Sequence, residues 1–157
     1  MDEKEVKQAC LKLMETTDAV YLSTLGCDGF PHTRMMSNLR NKEQNPGSAK
    51  VLESDIKAFV VYFVTGNSSV KMQQIRANPR ITAYFCNPGE FQTLMLGGKV
   101  EEIEDMEFKK ILWQEGWEIH WQGGAEDPEF IVLRLSPTFA KGWYKEGPFE
   151  FELGGQE

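Results

Sequence analysis

The sequence predicts a mainly β fold with flanking helices, in which antiparallel strands close wholly or partly into a barrel. Three observations carry that expectation. Apolar and β-branched residues gather in seven segments of strand character, turns containing Gly or Pro separate most of them, and only three stretches show helical spacing. Many strands joined by short turns favour a barrel over layers of alternating strand and helix.

The elements follow in order. Residues 3–16 place Val6, Cys10, Leu13 and Met14 at helical spacing among charges, an amphipathic helix. Residues 19–25 (AVYLSTL) and 32–39 (HTRMMSNL) read as a hairpin around GCDGFP. A polar segment, 40–57, shows no clear period and is longer than a turn, as a lid, a dimer contact or a mobile loop would be. Residues 58–64 (AFVVYFV) form a continuous apolar run suited to a central strand. Ser68 or Ser69 can then cap a short helix that stops at Asn78-Pro79. Residues 80–86 and 91–103 are strands joined at NPGE, and the pair Gly97-Gly98 marks a bulge or bend. Residues 104–115 read as a helix, and 128–137 and 139–147 return to strand. No repeat or domain boundary appears, so residues 1–157 read as one domain.

Composition excludes several function classes. Seventeen basic and twenty-four acidic side chains leave a net charge of −7, the wrong sign for nucleic acid or an anionic membrane surface. No apolar run reaches the length of a membrane span, and the N-terminus is too charged for a secretion signal, which together imply a soluble, cytoplasmic protein. Cys10, Cys27 and Cys86 are odd in number and irregularly spaced, and only His32 and His120 could join them. Neither a disulfide framework nor a metal site is expected.

The informative chemistry lies in VTGNSSVKMQQIRANPRI, residues 64–81. Lys71 falls in the first turn of the short helix, at the positive end of its dipole, where an acid is favoured. A phosphate docked on the free N–H groups would reverse that preference, with Thr65, Ser69 and Lys71 supplying two hydroxyls and a cation. Alternatively Lys71 simply points into water. Arg34, amid Met35 and Met36 on its strand, could fork onto the same phosphate or face solvent on an edge strand.

Together, RMM on a hairpin strand, FVTGNSSVK leaving a strand, and ANPRI closing the helix resemble the FMN-binding split β-barrel of the pyridoxamine 5′-phosphate oxidase-like superfamily. The likeness covers about residues 18–100, and the smaller general-stress-protein branch is the nearer one. It implies a Greek-key antiparallel barrel and a flavoprotein oxidoreductase with FMN as cofactor. Arg34, Ser69 and Lys71 would hold the phosphate; Arg34, Met35, Met36, Ser37, Val64 and Thr65 would line the ring and ribityl chain, partly through backbone groups. Val70 stands where the family has a further phosphate-binding arginine. Gln92 falls where the family's glutamine meets the flavin. A homodimer with the flavin at the subunit interface follows, with a small-molecule or nicotinamide electron donor. Leu39 replaces a substrate-binding lysine of the true oxidases, and no C-terminal arginine and histidine set is found, so pyridoxamine phosphate is not the expected substrate.

The same barrel can hold haem or a deazaflavin, as a binding or storage protein, with His32 or His120 as a possible iron ligand. Trp113, Trp117 and Trp121 recur every four residues, on one face if helical, and read as core or dimer packing or as a wall over the flavin. Trp143 has the same two readings, packing or flavin contact.

Overall fold

In a computed structural model of the chain, residues 2–54 and 59–154 are described. Helix α1 spans Glu3–Thr16, capped by the Asp2 carboxylate on the Lys4 N–H, with Glu3 and Glu5 complementing the helix dipole. Its buried face is Val6, Cys10, Leu13 and Met14, as the spacing predicts. Burial pushes the Cys10 thiol up to about 12, so it is an inert packing group.

The strands are β1 (Ala19–Leu25), β2 (Pro31–Ser37), β3 (Val61–Gly66), β4 (Arg80–Asn87), β5 (Gln92–Glu102), β6 (Phe130–Tyr144) and β7 (Gly147–Glu152). Helices α2 (Pro46–Ser54), α3 (Val70–Ala77) and α4 (Met106–Leu112) lie between them. Every strand pairing among the described residues is antiparallel, in the order β2-β1-β4-β5-β6-β3, with β7 also on β6. The outermost strands of this path, β2 and β3, approach each other without a ladder, so the barrel is split along that line. Val20, Leu22 and Thr24 of β1, and Ile81, Ala83 and Phe85 of β4, alternate inward to a core that α1 closes.

Several boundaries differ from expectation for identifiable reasons. Strand β2 ends at Ser37 rather than residue 39, because the Asn38 side chain turns to donate to the Met14 and Thr17 carbonyls at the end of α1. Strand β3 starts at Val61, after Phe59 adopts a left-handed φ of 76° that no extended strand accommodates. Ala58 of the expected strand, and 55–57 of the polar segment, lie outside the described residues. That segment contains α2, which buries Ala49 and Leu52 and is tied to the end of α4 by Ser48 Oγ on the Leu112 carbonyl and by Gln114 on Asn45. Helix α4 stops at Leu112, short of the expected residue 115 and nine residues before Trp121, the last of the tryptophan stripe.

The two final strands expected at 128–137 and 139–147 are one continuous strand, β6. Pro137 does not break it because it sits opposite Gly98, where the β5–β6 register shifts and a missing N–H is tolerated. The same shift confirms the bulge at Gly97-Gly98. Strand β7 then adds a hairpin that the sequence reading does not anticipate.

Candidate functional site

The turn between β3 and α3 is fixed from outside. Glu129 accepts from the Ser68 N–H at 3.1 Å and the Ser68 hydroxyl at 2.7 Å, its carbonyl accepts from the Asn67 N–H at 2.9 Å, and Arg76 donates to the Asn67 side chain at 2.6 Å. Ser68 is thereby occupied, and Ser69 takes the capping position with extended backbone. Its hydroxyl caps nothing. Ser69 Oγ is buried and has no hydrogen-bond partner. Leaving such a group unsatisfied costs about 1–3 kcal/mol, so an orphan at a rigid helix start points to something that completes it.

Two cations face this region. Lys71 Nζ donates to Thr65 Oγ1 at 2.9 Å, which draws the ammonium back across the start of the helix. Arg34, on β2, donates to Thr24 Oγ1 at 2.7 Å, to the His32 and Leu22 carbonyls at 3.0 and 3.3 Å, and to Gln74 Oε1 at 3.4 Å. Thr24 in turn donates to Gln74 Oε1 at 2.5 Å. Burial holds the Lys71 pKa below the usual lysine value, and the Arg34 charge lowers it further; burial also lowers Arg34. Among the described residues no carboxylate pairs with either, although the chain carries more acids than bases. Two partly desolvated cations, the open end of α3 and an orphan hydroxyl form an environment for a multiply charged anion.

The structure thus brings Arg34, Thr65, Ser69 and Lys71 to one corner. Of the other residues singled out, Met36 is half-buried against the main core and Val64 against the second core, while Met35, Ser37 and Val70 are exposed. Gln92 does not join the corner within the chain. It is buried and donates to the Ala9 carbonyl at 3.3 Å, and the register Arg34–Leu22–Ala83–Leu96 places it three strands away and four residues along. Leu39 is buried with Leu52, Val60 and Tyr62, an apolar setting unlike that of a substrate-binding lysine.

His32 is engaged with the Asp28 carboxylate at 3.0 Å, and His120 is exposed. Among the described residues no group of three or more His, Cys, Asp or Glu is placed to hold a metal ion. Trp113, Trp117 and Trp121 meet around Phe130 with ring centroids 5.0, 5.8 and 4.9 Å from it, so the packing reading holds although the helix behind it does not extend that far. Trp143 stacks edge-on against Phe91. The sequence reading missed Thr24 and Gln74, which aim Arg34, and Glu129, which pins the turn. Gln74 lies three residues after Lys71 on one helix face and was open to discovery by that spacing; the contact from Glu129 spans 61 residues and has no local signal.

The sequence model described as "Pyridoxamine 5′-phosphate oxidase like" matches residues 32–154. Among solved structures, a protein related to general stress protein 26 from Clostridium acetobutylicum superposes with a TM-score of 0.75 at 23% identity, covering 100% of both chains. General stress protein 26 from Bacillus anthracis gives 0.70 at 19%, covering 95% of this chain and 99% of that one. A pyridoxamine 5′-phosphate oxidase-related, FMN-binding protein from Nostoc punctiforme gives 0.59 at 13%, covering 100% and 95%. At these identities they establish the fold. No curated protein matches the chain.

Proposed function

Because the chain belongs to the pyridoxamine 5′-phosphate oxidase-like family, we propose that it binds FMN and acts as a flavin-dependent oxidoreductase, as a homodimer with the cofactor between subunits. The observation that carries this reading is the orphaned Ser69 hydroxyl at the start of α3, with Lys71 in the same helical turn and Arg34 close enough to lower its pKa. A phosphate fits that donor set: it accepts from the hydroxyl, neutralises both cations, and accepts the free N–H groups of the helix.

In this reading Arg34, Lys71 and Ser69 hold the phosphate, while Thr65, Thr24 and Gln74 keep the two cations aimed. The backbone of residues 34–37 and 64–65, on the two strands bordering the split, lines the rest of the cofactor. When bound, FMN supplies hydride exchange at its N5 atom. Exposed Val70 contributes no charge where relatives have an arginine, so the phosphate rests on two cations instead of three. Gln92 reaches the flavin only from the second subunit. The buried, apolar Leu39 supports a substrate other than pyridoxamine phosphate.

The test is the double variant Arg34→Ala/Lys71→Ala. It is expected to fold, since neither side chain belongs to the core, and to lose flavin binding; unchanged binding would refute the assignment. Bleaching of the bound flavin by NADH or NADPH in the wild type is the outcome expected of an oxidoreductase.

A further inference from the structure

On the outer face of the sheet a second pair of cations stands where sheet energetics disfavours them. Arg80 on β4 and Lys99 on β5 are direct cross-strand partners, both exposed. Like charges in that position destabilise an antiparallel pair. Among the described residues neither side chain has a hydrogen bond or an ion pair. Glu101, the acid lining the same groove, is held by Arg134 at 2.6 Å.

Both cations border a groove of about 860 Å³, within the usual size of a small-molecule site. Its floor has a specific construction. A methyl group on Gly97 would overlap the Phe139 ring, so that ring lies against bare backbone; a methyl on Gly98 would stand 2.9 Å from the Ser136 carbonyl. The β5–β6 register shifts at this pair, where Phe139 lies opposite Gly97 and Pro137 opposite Gly98. Hydroxyls of Ser23, Thr82, Ser136 and Thr138 surround the groove.

We infer that this groove binds a small molecule with a flat apolar body and an acidic group, carboxylate or phosphate, the body on Phe139 and the acid between Arg80 and Lys99. The site is separate from the Arg34 corner. The two share Thr24, which lines the groove and also accepts from Arg34. The inference therefore stands independently of the flavin reading.

The test is a titration of the full chain, with excess FMN present, by phenyl phosphate, benzoate and inorganic phosphate, followed by backbone amide NMR shifts. The aromatic probes are expected to move the Gly97, Gly98 and Phe139 amides and to bind at least about tenfold more tightly than inorganic phosphate. Whichever aromatic probe binds better identifies the acid. Arg80→Gln/Lys99→Gln should lose that affinity about tenfold or more while melting no lower than wild type, because it removes a repulsion. Three results would overturn the inference: shifts confined to Ser69 and Val70, equal affinity for inorganic phosphate, or groove amides that ignore every probe and are protected from exchange in proportion to protein concentration, which would mean that a second copy covers the groove.

Discussion

Removing the Ser69 hydroxyl should move two measurements in opposite directions. It makes no capping bond and no other bond, so Ser69→Ala forfeits nothing in the ligand-free protein and relieves a buried orphan. Chemical denaturation should find the variant as stable as wild type or up to about 1 kcal/mol more stable, against the loss of about 1 kcal/mol usual for a serine cap. FMN retention should fall in the same variant. Lys71 gives a second residue-level prediction. Its folded pKa lies below 10.5, so between the two values the unfolded chain binds more protons and stability rises with pH. Anion affinity falls through the same window as the ammonium is lost. Urea midpoints and flavin retention measured across that window should therefore slope oppositely, and Lys71→Met should flatten both. The candidate anion corner was legible because Lys71 violates the dipole preference at a helix start, a rule that operates within one turn. That Arg34 would be aimed by Thr24 and Gln74 was not, because those contacts join positions 10 and 40 residues apart.

At the scale of elements, strands and α1 were legible wherever one face is buried, since alternation or helical spacing then shows directly. The failures have two causes. Helix α2 is nine residues with little apolar surface, and packing against α4 rather than its own period defines it. Strand β6 runs through Pro137, which reads as a stop until the partner strand supplies a bulge opposite it. That strand contains a sharper constraint nearby. A methyl on Gly142 would overlap the Thr93 backbone carbonyl, and backbone cannot swing aside as a side chain can. Gly142→Ala should cost about 1–3 kcal/mol, the usual range for overpacking, read as a lower urea midpoint with unchanged slope.

At the scale of the molecule, one row crosses the outer sheet from β2 to β7: Met35, Tyr21, Tyr84, Met95, Lys141 and Glu150. Met35 is 68% exposed, Tyr21 39% and Tyr84 37%, a large apolar surface to leave in water. We assign this row to the proposed dimer contact, and the groove at Arg80 lies four residues further along β4, towards its start. Met35→Glu/Tyr84→Glu should run as a monomer in size-exclusion chromatography and lose flavin with it; a wild-type protein that is itself monomeric at working concentration would refute the shared site. The net charge of −7 is no guide to any of this, because the two cation pairs that matter are local exceptions to it.

The most direct test of the central claim is the visible absorption spectrum of the purified protein after incubation with excess FMN and removal of what stays free. A flavin spectrum should remain with the protein at about one per chain, because a phosphate would satisfy Ser69, Arg34 and Lys71 together. A colourless protein would contradict the claim.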